Sequence, residues 1–287
     1  MTDAIDIVDP GPLGTVQDLG RPGHAALGVG ASGAADRGSL RLANRLVGNP
    51  ERAAAVELTY GGLRARFRRT VTVALTGAPC PVTVGGRAAF MNGPFSVRAD
   101  EELTVGRPEA GLRTYLAVRG GIAVPAVLGS RSTDVLARIG PPALRPGSSL
   151  PIGAEALGWP NADLAPRASL AGEALVRVLP GPRDDWFHPE ALDLLCSRAY
   201  EVTADSNRIG ARLSGPALPV AVHRQLPPEG MVRGALQVPP DGLPILFLAD
   251  HPVTGGYPVI AVVGDDDLDR TAQLRPGDRI RFRLRPV

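Results

Sequence analysis

The sequence predicts an all-β protein, made of β-barrels or β-sandwiches, with a few short helices. Short runs rich in Val, Leu and Ile recur along the chain, and 35 glycines and 29 prolines lie scattered between them. Hydrophobic residues make up 44% of the 287 residues, so the chain can bury sizeable cores. This length suffices for two domains. We place them at residues 1–160 and 173–287, on either side of a loose segment rich in Pro and Ala.

Five runs of the N-terminal half have the composition of strands and end at Gly, Pro or Asp. They are residues 56–67, 70–77, 81–89, 95–105 and 113–121. Six similar runs follow in the C-terminal half: residues 175–181, 200–206, 234–240, 244–250, 259–264 and 278–284. Strands this short, separated by turn residues, are typical of barrels and sandwiches.

Three segments have helical patterns. Residues 39–47 place Leu40 and Ala43 on one face, Asp36 or Ser39 can cap the start, and Gly48 follows the end. The other two segments are residues 189–200 and, as a short helix, residues 266–274.

A weak internal repeat favours two similar halves. Leu-Arg-Pro-Gly occurs at residues 144–147 and again at residues 274–277, each time after a Gly-Gly pair. We expect both to form a tight turn that leads into a closing strand.

The composition excludes several functions. The sequence contains no lysine, so all 31 basic residues are arginine, set against 29 acidic residues. The chain therefore has no Walker lysine, no Schiff-base lysine and no lysine that can carry biotin. A balanced charge and an aromatic content of 4% also argue against nucleic-acid binding.

The sequence predicts neither a metal site nor a membrane segment. Cys80 and Cys196 lie far apart without CxxC spacing, which argues against a zinc site and for a reducing compartment. No apolar run approaches the roughly 18 residues of a membrane span, and the first residues are acidic where a signal peptide is basic. We therefore expect a cytoplasmic protein.

A glycine-rich loop near the N-terminus contains Gln17, Asp18 and Arg21. A guanidinium fork matches a carboxylate or phosphate, and a nearby aspartate can hold the fork in place. The alternative, which the local chemistry alone favours, is an Asp18–Arg21 pair that only fixes the loop.

Two further groups of polar residues lie in the C-terminal half. Arg208 and Arg212 are four residues apart, which places them on the same side of a pleated strand, and such a pair repels unless an anionic ligand or a carboxylate lies between them. Asp250, His251 and Tyr257 follow a buried-looking strand on a loop opened by glycines. His251 is either a general base or a packing residue.

No common catalytic motif is present. Ser130 lacks a GxSxG context, and neither HExxH nor a P-loop occurs. The glycine-rich residues 28–34 lack the strand–helix context of a dinucleotide site.

Together, several stretches resemble one family. They are VQDLGRPG, SGAAD, ANRLVGNP, YLAVRGG, LGSRST, SNRIGARLSG, ALQVPPDGLPI, DHPVTGGYP and AQLRPGD, in this order from about Val8 to Phe282. They identify the chain as similar to the C-subunit family of 5-oxoprolinase, also called KipA or allophanate hydrolase subunit 2. This family resembles one half of the carboxyltransferase domain of urea carboxylase.

The resemblance implies two cyclophilin-like β-barrel domains and a hetero-oligomeric enzyme. Members of that family act with a KipI-like protein and a LamB/YcsF-like protein to hydrolyse 5-oxoproline (pyroglutamate) to glutamate with ATP. The complex handles ATP, no biotin is attached to this chain, and we expect the chain alone to be inactive.

The resemblance also carries over a set of site residues. We expect Arg21, Arg208 and Arg212 to form an anion-binding wall, with Asp18, Asp250 and Tyr257 as catalytic residues that orient the lactam or a water. The predicted binding set also includes Gln17, Arg131, Asn207 and Gln237. Further positions that match the family motif are Gly20, Gly33, Asp36, Asn44, Asn49, Glu57, Gly210, Gly256 and Gln273.

Two other functions remain open. One is a urea or amide carboxyltransferase component that receives its carboxyl group from biotin on another polypeptide. The other is a regulatory KipA-like module that binds a KipI-like kinase inhibitor.

Overall fold

The computed structural model of the protein describes residues 4–159, 162–166 and 169–285. The predicted domain limits Met1, Pro160 and Val287 lie outside these residues. The chain divides into two compact units. The first unit comprises Met1–Arg21, Ser32–Asp134 and Arg138–Leu170, and the second comprises Pro22–Ala31, Val135–Ala137 and Ala171–Val287. Two short segments of the N-terminal half, Pro22–Ala31 and Val135–Ala137, therefore belong to the second unit. The predicted domains were contiguous and assigned both segments to the first domain.

The strands of the first unit form two sheets. The strands are β1 (Ala4–Pro10), β2 (Leu13–Gln17), β3 (Ala55–Thr59), β4 (Leu63–Phe67), β5 (Val71–Gly77), β6 (Val82–Val84), β7 (Arg87–Ala89), β8 (Pro94–Val97), β9 (Glu102–Val105), β10 (Arg113–Val118) and β11 (Ser149–Pro151). One sheet has the order β11-β1-β4-β9-β6-β7 and the other the order β2-β3-β10-β5-β8. Both contribute apolar side chains to one core, as the alternation in β4 illustrates: Leu63, Ala65 and Phe67 are buried and the arginines between them are exposed.

The first helix, α1 (Arg37–Leu46), packs against β5 and β10. Asp36 caps its start, since the carboxylate accepts a hydrogen bond from the backbone N–H of Ser39 at 2.8 Å. Leu40, Ala43 and Leu46 are buried, as the helical pattern predicts.

The second unit is built around a closed barrel. Its strands are β12 (Ala174–Pro180), β13 (Ala199–Val202), β14 (Gly210–Ser214), β15 (Glu229–Gly230), β16 (Ala235–Gln237), β17 (Ile245–Phe247), β18 (Thr254–Gly255), β19 (Val259–Val263) and β20 (Arg279–Leu284). The barrel order is β12-β19-β16-β17-β14-β13-β20, and β15 pairs with β18 outside it. Two short helices, α2 (Ala191–Ser197) and α3 (Asp265–Thr271), lie where the sequence predicts helices.

The predicted fold class is confirmed: the regular secondary structure of the described residues is nearly all β, with three short α-helices and a closed barrel. The repeated Leu-Arg-Pro-Gly segments are tight turns, in which Ser148 N–H donates to Arg145 O and Asp278 N–H donates to Arg275 O, each at 2.9 Å. Strands β1, β2, β15 and β18 were not predicted. Asp, Pro and Gly interrupt the apolar residues of β1 and β2, and β15 and β18 have only two residues each. No helix in the described part of the chain has the length and apolar composition to cross a membrane.

The buried Tyr200 makes the stability of the second unit sensitive to high pH. Burial raises the pKa of Tyr200 to about 12, and its hydroxyl donates to Pro216 O at 3.0 Å. An unfolded tyrosine loses its proton near pH 10, so above this pH the unfolded state releases a proton that the folded state retains. We expect the free energy of unfolding to fall by roughly 2 kcal/mol more between pH 10 and 12 in the wild type than in Tyr200→Phe, measured by urea unfolding at each pH. Parallel pH profiles for the two proteins would contradict this.

Candidate functional site

A pocket of about 290 Å³ opens in the second unit. Its walls are mostly apolar and include Val220, Val222, Leu226, Val238, Pro239 and Pro258. The indole of Trp186, itself only 5% exposed, forms another wall. A small concave site of this kind, with apolar walls and a few polar groups, is typical of small-ligand binding.

Four polar side chains line this pocket: His223, Arg224, Gln225 and Tyr257. The Arg224 guanidinium lies 5.3 Å from the centre of the Trp186 ring, a cation–π contact. Within the described residues, none of these four side chains has a hydrogen-bond partner, and no acidic side chain lines the pocket. The pocket thus presents an arginine without a carboxylate, which favours an anionic ligand.

The loop that carries His223 and Arg224 is held at its beginning by the segment around Trp186. The backbone N–H groups of Ala221 and Val222 donate to Trp186 O at 2.9 and 3.2 Å. These bonds fix the start of the loop against the same residue whose ring the arginine contacts.

The end of this loop is held by an ion pair. Arg183 Nε donates to both carboxylate oxygens of Glu229, at 2.9 and 3.1 Å, and Arg183 Nη2 also contacts Oε1. The guanidinium lowers the pKa of Glu229 below its usual value. Both ends of the loop that carries His223 and Arg224 are therefore fixed.

Tyr257 is positioned by Gln237, one of the predicted binding residues. Gln237 Nε2 donates to Tyr257 O at 3.1 Å, and the Tyr257 side chain is 46% exposed at the pocket. The Gln237 amide lies close to the backbone of Gly255. A Cβ at residue 255 would lie 2.5 Å from Gln237 Nε2, so a larger residue there would displace the amide. Gln237 is only 5% exposed, and its hydrogen bond holds the backbone of Tyr257 in place beside the pocket.

Arg208 and Asp250 form a buried ion pair. Arg208 Nε donates to Asp250 Oδ2 at 2.8 Å and Nη2 donates to Oδ1 at 3.0 Å, with the two side chains 1% and 0% exposed. Asp250 Oδ2 also accepts from Val135 N–H at 3.1 Å. Neither residue lines the pocket, and their predicted roles toward substrate stay predictions.

Arg212 does not lie on the same side as Arg208, which corrects the geometric expectation from the sequence. Arg208 precedes β14, which begins at Gly210, so the alternation of a pleat does not extend to it. Arg208 is buried, whereas Arg212 is exposed on the strand. Asn207 is also exposed, and its Oδ1 accepts from the backbone N–H of Ile209 at 2.7 Å, as in an Asx turn.

Asp18 is the centre of a buried hydrogen-bond network in the first unit. Its Oδ1 accepts from the hydroxyls of Ser130 and Ser132 at 2.6 and 2.5 Å and from Gly20 N–H at 2.8 Å. Its Oδ2 accepts from the backbone N–H of Arg131 at 2.6 Å. Three of these bonds join the end of β2 to the segment around residue 131, and the predicted catalytic role of Asp18 stays a prediction.

Gln17 and Arg21 are also buried in the first unit. Gln17 Nε2 donates to Thr133 O at 2.9 Å, and Arg21 Nη2 donates to Ser132 O. Their remaining atoms Gln17 Oε1 and Arg21 Nη1 have no hydrogen-bond partner among the described residues. The local sequence interpretation paired Arg21 with Asp18, but the bonds found run from Arg21 to backbone carbonyls.

Arg131 is half-buried. Its Nε donates to Val124 O at 2.9 Å, and its Nη2 lies 3.5 Å from a carboxylate oxygen of Glu155. The side chain therefore contributes to the loop structure, and its predicted role in binding substrate is not tested by these contacts.

Of the predicted positions, Gly256 and Tyr257 line the pocket, and Gln237 contacts it only through the backbone of Tyr257. The sequence did not single out Trp186, His223 or Arg224. Two signals point to them afterwards: Trp186 is one of only two tryptophans, and His-Arg-Gln at residues 223–225 is a polar run between an apolar segment and a proline pair.

Comparison with known proteins identifies the family. The model of the carboxyltransferase domain, subdomain A and B, matches residues 27–284. The chain belongs to this carboxyltransferase family. It is 38% identical to the C subunit of 5-oxoprolinase from Escherichia coli K12 over 281 residues, 97% of this chain and 90% of that protein. It is 35% identical to urea amidolyase of Lachancea kluyveri over 97% of this chain but only 17% of that protein.

Solved structures of the carboxyltransferase family have the same fold. The Kluyveromyces lactis urea amidolyase superposes with a TM-score of 0.90 and 32% identity, over 97% of this chain and 18% of that chain. TTHA0988 superposes with a TM-score of 0.89 and 35% identity, over 98% of this chain. This chain spans 55% of TTHA0988, so there the family fold is joined to a further segment of similar length. The resemblance to the 5-oxoprolinase C-subunit family inferred from the motifs is confirmed.

Proposed function

We propose that this chain is the C subunit of an ATP-dependent 5-oxoprolinase, which hydrolyses 5-oxoproline to glutamate together with two further proteins. The relative with this name matches along nine-tenths of its length, whereas urea amidolyase matches over less than a fifth. The pocket in the second unit is where this chain contacts the substrate.

The observation that carries the proposal is the arginine of the pocket. 5-Oxoproline is a compact ring with one carboxylate, and Arg224 offers a guanidinium that no carboxylate of the described residues neutralises. The apolar walls suit the methylene groups of the ring, and a volume of about 290 Å³ suits a molecule of this size.

The other polar groups can orient the lactam. The Tyr257 hydroxyl and the His223 imidazole can each donate a hydrogen bond to the lactam carbonyl or accept one from its N–H. When bound in the complex, ATP supplies the phosphoryl group that activates the unreactive lactam carbonyl. The residues of this pocket hold the ring in place for that step.

The partners are part of the proposal. A KipI-like protein completes the site, and a LamB/YcsF-like protein supplies the remaining machinery. In TTHA0988 the same chain continues beyond the part that matches this fold. This supports the proposal that the fold acts together with a second protein or domain. No lysine is available to carry biotin, so any biotin belongs to another polypeptide.

The test is steady-state hydrolysis by the complex reconstituted from all three proteins. We expect Arg224→Gln to raise the KM for 5-oxoproline about 10- to 100-fold, because a hydrogen bond to a charged group contributes about 1.5–3 kcal/mol. Arg64→Gln is the matched control, since Arg64 lies in the first unit and pairs with Glu102 at 2.7 Å. An unchanged KM for Arg224→Gln, with turnover retained, would show that the pocket does not bind the carboxylate.

The second candidate is a carboxyltransferase component that acts on urea. The 0.90 superposition on urea amidolyase of K. lactis favours it. Urea has no carboxylate, so in this case Arg224→Gln leaves the KM for urea unchanged. Assaying 5-oxoproline hydrolysis and biotin-dependent urea carboxylation side by side separates the two functions.

A further inference from the structure

The polar groups of the pocket in the second unit come from two separate loops. His223 and Arg224 lie on the first loop, between β14 and β15, and Tyr257 lies on the second loop, between β18 and β19. A ligand that contacts both loops at once must match the spacing between them. This spacing therefore limits the size of the ligand.

A strand pair joins the two loops. β15 follows the first loop and β18 precedes the second, and the strands pair antiparallel with Glu229 opposite Gly255. Next to this pair, Met231 N–H donates to Val253 O at 2.9 Å. Strands of two residues are weak on their own, since even a longer isolated pair is only marginally stable. Further contacts are therefore needed to hold the two loops at a fixed spacing.

The side chain of Glu229 supplies such a contact. Its carboxylate binds the Arg183 guanidinium, and the backbone N–H of Arg183 donates to Val259 O at 3.2 Å. Tyr257 lies between Gly255 and Val259 in the chain. Glu229 is therefore linked to both ends of the second loop, through the strand pair at Gly255 and through Arg183 at Val259.

The two loops also approach each other beside the pocket. Leu226 is buried in the apolar core of the second unit and anchors the first loop there. A Cβ added at Gly256 would lie 3.6 Å from Leu226 O, and both residues line the pocket. A movement of Glu229 relative to Gly255 therefore changes the width of the pocket.

The ion pair is better suited to positioning the loops than to stabilising the whole fold. The Arg183 and Glu229 side chains are 36% and 25% exposed, and pairs at exposed sites contribute little to the free energy of unfolding. Small displacements in a binding site have larger effects, since a shift of about 1 Å can reduce activity about 100-fold. The pair therefore acts mainly on the geometry of the pocket.

We propose that the Arg183–Glu229 pair fixes the width of the pocket and thereby selects ligands by the size of their ring. The choice of ligands for this test rests on the function proposed above. 5-Oxoproline has a five-membered lactam ring, and 6-oxopiperidine-2-carboxylate has the same carboxylate and lactam groups on a six-membered ring. A pocket of fixed width rejects the additional methylene group, whereas a pocket whose loops can separate accepts it.

The test compares kcat/KM for the two lactams, measured with the complex of all three proteins. We expect the wild type to prefer 5-oxoproline by about tenfold or more, because a hydrophobic pocket discriminates one methylene group by about 10- to 200-fold. Glu229→Gln keeps the size of the side chain but removes its charge, and we expect the preference to fall to about threefold or less. Arg183→Gln removes the same pair from the other side and should have the same effect.

Glu173→Gln is the matched control. Glu173 pairs with Arg281 at 2.8 Å, the two side chains are 35% and 39% exposed, and neither is among the residues that line the pocket. This variant should keep the wild-type preference within about twofold. The proposal would be overturned by a wild-type preference in Glu229→Gln or in Arg183→Gln, or by an equal loss of preference in Glu173→Gln.

A second measurement, on the purified chain, needs no substrate. Trp159→Phe leaves Trp186 as the only tryptophan, since the sequence contains two. The Trp186 side chain is 5% exposed, and Arg224 of the first loop contacts its ring. In this background, Glu229→Gln should increase the quenching of Trp186 by acrylamide about twofold, because the loop opens more often, and Glu173→Gln should not.

The two measurements separate the failure of this proposal from the failure of the proposed function. Equal quenching in Glu229→Gln and Glu173→Gln would show that the ion pair does not hold the loop. A wild-type complex without 5-oxoproline hydrolysis would instead contradict the proposed function, and the quenching experiment would still test the pair.

Discussion

Replacing Arg208 by alanine is expected to lower the free energy of unfolding by about 3–5 kcal/mol. The change leaves the Asp250 carboxylate in the interior without the guanidinium that contacts both of its oxygens. A buried charge without a partner is far less stable than the same charge in water. The measurement is urea unfolding followed by circular dichroism.

Two further variants show whether this loss comes from the unpaired charge. Replacing both partners, as Arg208→Met with Asp250→Leu, should recover most of the lost stability, because neither position then carries a buried charge. Arg64→Ala breaks an exposed pair, with the arginine side chain 49% exposed, and should change the stability far less. If Arg208→Ala were no more destabilising than Arg64→Ala, the pair would have no structural role.

Asp18→Ala is expected to destabilise the protein by about 3 kcal/mol or more. The substitution removes the acceptor of four hydrogen bonds, three of which join the end of β2 to the segment of Ser130 and Ser132. The Ser130 and Ser132 hydroxyls stay buried, so each loses its acceptor without gaining water. Urea unfolding measures the effect, and Asp9→Ala is the control, since the exposed Asp9 accepts one bond, from Gly11 N–H at 2.9 Å.

Asp18→Asn separates structure from catalysis at this position. Asparagine has the same size but loses one acceptor and the charge, so we expect an intermediate loss of stability. A variant with the unfolding free energy of the wild type and no hydrolysis by the complex would contradict the structural role and support the predicted catalytic one.

The fold class follows from the sequence because it depends on local patterns. Alternating apolar residues in β4 and the cap at Asp36 act over a few residues, so a short stretch of sequence contains the information. The division into units depends on contacts between distant segments, and the assignment of residues 22–31 to the second unit has no local signal.

The candidate site was predicted only in part, for a similar reason. Tyr257 stands in a motif, but Arg224 lies in an exposed loop without periodicity, and only its contact with Trp186 shows its importance. Arg208 and Asp250 are 42 residues apart, so their pairing is a property of the barrel. A motif therefore marks polar residues such as Arg208 and Asp250 without revealing the contacts that they make in the fold.

The closure of the barrel has a consequence for how the chain is made in the cell. Strand β12 pairs in parallel with β20, which also pairs with β13. During translation, the edge of Ala174–Pro180 that pairs with β20 therefore has no partner strand until Arg279–Leu284 has left the ribosome. Unprotected edges invite aggregation, so chaperones that shield nascent strands should matter for the folding of this barrel.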